Sequence, residues 1–297
     1  MKNIYEKLKN ENISSVFNEP LSRHTSFKIG GEAKIYIEPE NEDQLIFTLK
    51  LLDKFNIDYM IIGHGSNILF SDDGFNGAVI HLSGDFKEIK IENDEIYCGA
   101  ASSLIKICEE ARKNSLTGLE FAYGIPGSAG GAAYMNAGAY GGEMKDVIVS
   151  CEYLDEEYNK KIIYSDALDF SYRHSFFSNR SCIILKVNLK LKKGEKQEIS
   201  ALMEDIMGRR KAKQPLEYPS AGSVFKRPEG YFAGALVEEL GFKGYSVGGA
   251  QVSEKHAGFI INKGGATAND VLTLIKEIQD KVKKEKGVEL ECEIKRI

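Results

Sequence analysis

Twenty residues, Gly124 to Glu143, read GIPGSAGGAAYMNAGAYGGE and hold seven glycines and five alanines. Backbone without Cβ atoms reaches positive φ and lets a neighbour approach closely, so such a stretch suits either a tight helix crossing or a large ligand laid against main chain. A second small-residue loop precedes it, IIGHGSNILFSDDGFNG from Ile61 to Gly77. Gly63-His64-Gly65 opens like the dinucleotide fingerprint GxGxxG, but Ile68 stands at the last glycine position and an apolar run follows where a helix should begin. The Walker pattern is absent as well. What remains is a turn in which Gly63, Gly65, Ser66 and Asn67 aim N–H groups and short polar side chains at a phosphate, or else an ordinary tight turn. Two such loops, one on each side of a helix in the N-terminal half, point to a bound dinucleotide.

The periodicities around these loops predict an α+β fold. AKIYIEP alternates like a strand, and NEDQLIFTLKLLDKFN repeats Leu45, Ile46, Leu49 and Leu52 at helical spacing behind an Asn41 cap. IDYMIIG, GAVIHL, EIKIE and EIYCGA read as strands, ASSLIKICEEARKNSLTG as a helix ending at Gly118, and DVIVSCEYLD, KKIIYS and CIILKVNLKLK as strands again. Regular βαβ alternation is missing, which excludes a doubly wound sheet. Near residue 194 the chain turns strongly charged, and the expected division is a polar leader over 1–28, one domain over 29–194 and a second over 195–297. The second domain is expected to hold a helix YFAGALVEEL stopped by Gly241, a helix from Thr267 to Lys286, and a closing strand VELECEI.

A chain of 297 residues with 42% apolar and 28% charged composition folds and has the length of about two domains. Its net charge of -5 argues against nucleic acid or an anionic membrane as partner, while a small anion in a local basic pocket remains allowed. MKNIYEKLKNENISS has no apolar core of the signal-peptide kind, and no run approaches the ~20 apolar residues of a membrane span, so the chain reads as cytoplasmic. Cys98, Cys108, Cys151, Cys182 and Cys292 are scattered with no CxxC pair, and the five histidines follow no ligand spacing. Neither a disulfide framework nor a metal site is expected.

NEPLSRHTSFKIGGEAKIYIEP, GHGSNILFSDDGFNG, EFAYGIPGSAGGAAYMNAGAYGGE, YRHSFF, SAGSVFKRP, VSEKHAGFIIN and VELECEIK occur in the order and spacing of the UDP-N-acetylenolpyruvoylglucosamine reductase family, from about Asn18 to the end. The resemblance implies a vanillyl-alcohol-oxidase-type FAD-binding domain of two α+β subdomains and a C-terminal α+β domain that binds substrate. It implies non-covalent FAD, NADPH as hydride donor, and reduction of UDP-N-acetylglucosamine enolpyruvate to UDP-N-acetylmuramate for peptidoglycan. The FAD would lie on Gly63, His64, Gly65, Ser66 and Asn67, which meet its pyrophosphate, and on Gly124, Ile125, Pro126, Gly127 and Ser128. Gly130, Gly131, Asn136, Gly138 and Ala139 would complete the cradle.

By the same resemblance Arg173 in YRHSFF is the catalytic arginine, Glu293 in LECEIK the catalytic glutamate, and Ser223 in AGSVFK the serine that protonates the substrate carbon. A forked, permanently charged guanidinium suits a carboxylate turning into an enolate. A second carboxylate beside it is tolerable only if protonated or sharing a proton, so Glu293 is expected to hold its proton more tightly than usual. Lys213 and Lys226 match the substrate-contacting region, with Arg227 a weaker candidate, and His256 and Asn262 fall in a further substrate segment.

The chain lacks the insertion that in one branch of the family carries a tyrosine over the substrate, and so resembles the shorter branch. His64 lies where some relatives of the wider flavin fold attach FAD covalently; non-covalent FAD and a monomeric enzyme are expected here. The rivals are a flavin oxidase of the same fold acting on an alcohol or lactone, and a sugar-nucleotide-binding module without flavin.

Overall fold

The computed structural model describes residues 2–297, and they form two compact units woven from separate stretches of chain. The first unit comprises residues up to Phe17, Ile35–His64 and Gly77–Arg209; the second comprises Asn18–Lys34, Gly65–Asn76 and Arg210–Ile297. The contiguous division at 194/195 expected from composition therefore differs from the contact division, because residues 18–34 and 65–76 pack with the C-terminal unit.

In the first unit the chain begins with helix α1, Lys2–Asn10, and a strand Ser14–Pro20. This corrects the polar leader over 1–28: Ile4 and Leu8, one turn apart, are fully buried, and abundant Lys, Glu and Asn around them mask the periodicity. Helix α2, Glu42–Lys54, starts where expected, with the Asn41 side chain accepting from the Gln44 amide and Glu42 and Asp43 in the first turn. Its inner face sets Leu45, Leu49 and Leu52 in the core, each worth ~1.5–3 kcal/mol of burial.

Tyr59–Ile62 runs parallel to Phe75–His81 in a four-stranded sheet whose order continues through Glu32–Glu38 to Ser14–Pro20. A second, five-stranded sheet is antiparallel throughout, in the order Lys160–Tyr164, Ile148–Leu154, Ile183–Lys190, Glu95–Gly99, Ile89–Glu92. Helix α3, Leu104–Lys113, buries Leu104, Ile107, Cys108 and Ala111. It ends short of the expected Gly118, because Ser115 turns left-handed at φ 55 and Leu116–Thr117 then pairs with Lys192–Lys193. Helix α4, Ala129–Tyr134, is a single short run of small residues capped by Ser128.

Helix α5, Lys196–Lys213, carries the chain from one unit to the other. The second unit has the antiparallel sheet Ser220–Ser223, Phe259–Asn262, Ala250–Val252, Ser246–Val247 and two helices, α6 over Ala233–Glu239 and α7 over Ala268–Lys286. Helix α7 shows why its bounds were readable. Thr267 and Asp270 form a capping box, Val271, Leu274, Ile275, Ile278 and Val282 make a buried stripe, and Gly287 ends the helix at φ 69. The expected strand over 288–294 is not continuous: Cys292 bridges Phe225, and only Lys295–Arg296 forms a ladder, parallel to Ile68–Leu69. No helix among the described residues is long and apolar enough to cross a membrane.

Candidate active site

Gly63, at the start of the first small-residue loop, meets Ser128 of the second within the first unit. A Cβ on Gly63 would fall 2.3 Å from Oγ of Ser128, so the strand end at Gly63 and the start of α4 approach at a distance only glycine permits. Ser128 is buried, and its hydroxyl accepts from the Gly131 amide. Gly130 packs on Ala100, where an added Cβ would stand 2.9 Å from the alanine methyl. Gly124 turns at φ 83 and Gly127 accepts from the Leu104 amide, which ties the GIPG segment to the head of α3. Below it, the buried carboxylate of Glu120 accepts from the Thr117 hydroxyl at 2.7 Å and the Gly118 amide at 2.8 Å. Glu120 escaped sequence reasoning; its signal is a lone acid inside an apolar run.

These surfaces suit a flat, anionic dinucleotide. At Gly63 and Gly130 the missing Cβ admits Ser128 and Ala100, while Gly131 is exposed bare main chain with no side chain to keep a ring system or phosphate away. Ile125 is partly buried against the core and Pro126 is exposed. The His64 ring is desolvated, and His81, Lys87 and Lys106 are cations or near neighbours that act with that desolvation to lower its pKa. It is thus neutral at pH 7, beside a loop suited to an anion.

Gly138–Ala139 and Gly142–Glu143 form a two-rung hairpin with Tyr140 and Gly141 at positive φ in its tip. Arg173 follows in the turn closed by the Ser171–His174 bridge, itself at φ 56, and its Nη2 donates to the Gly138 carbonyl at 3.4 Å. The Asn136 side chain, expected to meet the cofactor, has several protein partners. Fully buried, it donates to Glu143 and to the Ser171 carbonyl and accepts from the Lys145 amide, which engages both of its N–H donors.

In the second unit Gly65 sits at φ 59 against the His24 carbonyl and accepts from the Ser26 amide. Among the described residues no protein group accepts from the Gly65 or Ser66 amides, which leaves two adjacent N–H groups for an anion. Asn67 donates to the Glu293 carbonyl at 3.1 Å and accepts from the Lys295 amide. Glu293 in turn donates its N–H to the Val224 carbonyl at 2.7 Å, and Lys226 donates to the Glu291 carbonyl. Asn67 and Glu293 are thus hydrogen-bonded to each other, and Glu293 also to Val224, the residue after Ser223. Ser223 ends a strand whose register slips between Ser220 and Ser223, with Gly222 at φ 79, a bulge of the kind that re-aims a side chain. Arg173 belongs to the first unit and Ser223 and Glu293 to the second.

The other candidates divide clearly. Lys213 is exposed at the end of α5, Lys226 pairs with Glu291 at 2.5 Å, and the Arg227 guanidinium lies 4.0 Å over the Phe232 ring. Asn262 is buried, donates to the Phe27 carbonyl and accepts from the Gly264 and Ala266 amides, which holds the turn that follows it. Nδ1 of His256 accepts from the Gly258 amide, and burial lowers its pKa. That bond leaves the neutral ring protonated at Nε2.

Residues 214–297 match a sequence profile described as the C-terminal domain of UDP-N-acetylenolpyruvoylglucosamine reductase, and residues 33–157 match one described as an FAD binding domain. A curated UDP-N-acetylenolpyruvoylglucosamine reductase of Caldanaerobacter subterraneus subsp. tengcongensis is 51% identical over 94% of this chain and 92% of its own length. One from Clostridium perfringens is 47% identical over 94% of this chain and 91% of its own. The crystal structure of the Thermus caldophilus enzyme of that name aligns with a TM-score of 0.81 at 34% identity, covering 96% of this chain and 98% of its own.

Proposed function

The chain belongs to the UDP-N-acetylenolpyruvoylglucosamine reductase family, and from that premise we propose that Arg173, Ser223 and Glu293 carry out its reaction. The reaction is reduction of the enolpyruvyl C=C of UDP-N-acetylglucosamine enolpyruvate to UDP-N-acetylmuramate. FAD, when bound, supplies the hydride, which originates in NADPH. The chain supplies charge, orientation and a proton.

As the terminal carbon gains hydride, negative charge builds toward the neighbouring carbon and the carboxylate. The Arg173 guanidinium faces that charge with a planar fork matched to two carboxylate oxygens. The Ser223 hydroxyl delivers the proton to the neighbouring carbon, a transfer a weak acid can make when the acceptor is a carbanion-like enolate held in line. Glu293 shares a proton with the developing enediolate. The observation that carries this assignment is the Glu293 N–H bond to the Val224 carbonyl, which joins the segment bearing the glutamate to the one bearing the serine. Residues Gly63 to Asn67 and Gly124 to Ala139 hold the FAD in this reading, and Lys213 and Lys226, with Arg227, meet the UDP diphosphate. The reductase names of the relatives favour this activity over an oxidase of the same fold.

The test is anaerobic. NADPH bleaches the bound flavin, and addition of the enolpyruvyl UDP-sugar restores the oxidised spectrum; a spectrum that stays bleached overturns the assignment. Lys226→Met is expected to raise KM for the UDP-sugar about tenfold with kcat little changed, the signature of lost ground-state binding. FAD is expected to be released wholly into the supernatant when the protein is precipitated with acid. Flavin retained on the pellet would mean a covalent link at His64. The reading puts the enzyme in the cytoplasm, where the nucleotide substrates are made, and as a monomer; sedimentation equilibrium should return a mass near the 33.0 kDa of one chain.

A further inference from the structure

The hairpin whose Gly138 carbonyl accepts from Arg173 is held by a polar cluster whose side-chain bonds have no task in the scheme above. At its centre Asn136, fully buried and left-handed at φ 44, donates to Oε2 of Glu143 at 3.0 Å and to the Ser171 carbonyl at 3.0 Å. Its Oδ1 accepts from the Lys145 amide at 2.9 Å. One buried amide therefore ties the Gly138–Glu143 hairpin to the turn that presents Arg173.

Glu143 sits opposite Gly138 in the same hairpin, one rung from the carbonyl that Arg173 meets. Its side chain lies over Gly138, where an added Cβ would come within 2.7 Å of the Glu143 Cγ and 2.8 Å of the Gly142 carbonyl. The Gly138 carbonyl is the acceptor for Arg173. Lys145 holds the Glu143 carboxylate at 2.8 Å. That ion pair, the Asn136 bond and the charge of Arg173 together keep the Glu143 carboxyl below the usual carboxylate range, so it is ionised at neutral pH.

A guanidinium on a long stem has many orientations to lose when it meets a substrate. A carbonyl that accepts from it, and an anion held on the opposite rung of the same hairpin, remove part of that freedom in advance. An anion left uncompensated would also weaken the pull of Arg173 on a second carboxylate, and Lys145 offsets that charge. We propose that Glu143, fastened by Asn136 and Lys145, is a positioning residue that orients the Arg173 guanidinium for the substrate carboxylate. The inference rests on Arg173 meeting that carboxylate, and so on the reading above.

The experiment uses the FAD holoenzyme in stopped flow, with Glu143→Gln as the nearly isosteric, uncharged variant. Reoxidation of the reduced flavin by the enolpyruvyl UDP-sugar is expected to slow about ten- to thirtyfold, the scale of a misplaced catalytic group. Bleaching by NADPH, flavin content and the thermal midpoint should stay at wild-type values. The dissociation constant of the UDP-sugar from oxidised enzyme, by calorimetry, should rise about fivefold, as expected when a paired cation loses its alignment. In an Arg173→Lys background Glu143→Gln should add nothing further, since both act through one group. Wild-type reoxidation in Glu143→Gln, equal losses in both half-reactions, or effects that add with Arg173→Lys would each overturn the proposal. Should Glu143→Gln yield no holoenzyme, Lys145→Gln at its half-exposed site is expected to slow reoxidation about threefold, as the loss of a single charge partner would, and leave bleaching alone; no such slowing overturns the proposal as well. Failure of the underlying reading is seen separately, as wild-type enzyme that the UDP-sugar does not reoxidise.

Discussion

Replacing Ser223 by alanine should slow return of the oxidised flavin spectrum on addition of the enolpyruvyl UDP-sugar by about 10²–10³-fold, the range for losing one well-placed transition-state group. Bleaching by NADPH should proceed at the wild-type rate, because the hydroxyl enters only after the hydride has left the donor. Ser223 follows Gly222, at φ 79, in a strand bulge, and removing Oγ leaves that bulge and the Val224–Glu293 backbone bond in place. The loss is therefore expected in rate with fold and flavin content intact. Ser223→Cys, whose thiol is the stronger acid, should recover part of it; unaltered reoxidation in Ser223→Ala would remove the proton-donor role.

Gly65→Ala should cost the protein its stability and its colour together. A Cβ at that position would fall 2.1 Å from the His24 carbonyl oxygen and 2.9 Å from the Thr25 Cα, both backbone atoms, at φ 59. The left-handed conformation alone costs an alanine ~1–2 kcal/mol, and moving two backbone segments apart adds at least as much again. The thermal midpoint is expected to fall by about 6–12 °C, and the purified protein to lose most of the visible absorption band that bound flavin gives it. Gly141→Ala is the control. Its φ is 90, yet nothing lies within 4 Å of the added methyl, so only the conformational cost applies. Equal losses in the two variants would show that close approach at Gly65 is unimportant.

The elements legible from the chain alone are those with a local cause. Helix α7, expected from Thr267 to Lys286, runs over Ala268–Lys286, because its cap and apolar stripe lie within its own residues and Gly287 stops it immediately after. Helix α2 was found through Asn41 and its repeated leucines for the same reason. Where the outcome depended on a distant partner the reading slipped. The 288–294 segment alternates like a strand, but its backbone finds Val224 and Phe225 at only a few rungs. The protein bonds of Asn262 and Asn136, to carbonyls and amides far along the chain or across a loop, have no local pattern that a sequence could show.

What the sequence by itself determined is the presence of two side-chain-poor loops suited to a dinucleotide, the α+β pattern, and motifs specific enough to name a family. These follow from residue type and short spacing, which need no partner to be read. Tertiary structure alone decided that Gly63 meets Ser128, that Glu293 is bonded to the strand of Ser223, and that Glu143 and Asn136 stand beside Arg173. Each of those is a contact between stretches with no local pattern in common. It exists because buried N–H and C=O groups must find acceptors and donors wherever the fold brings them.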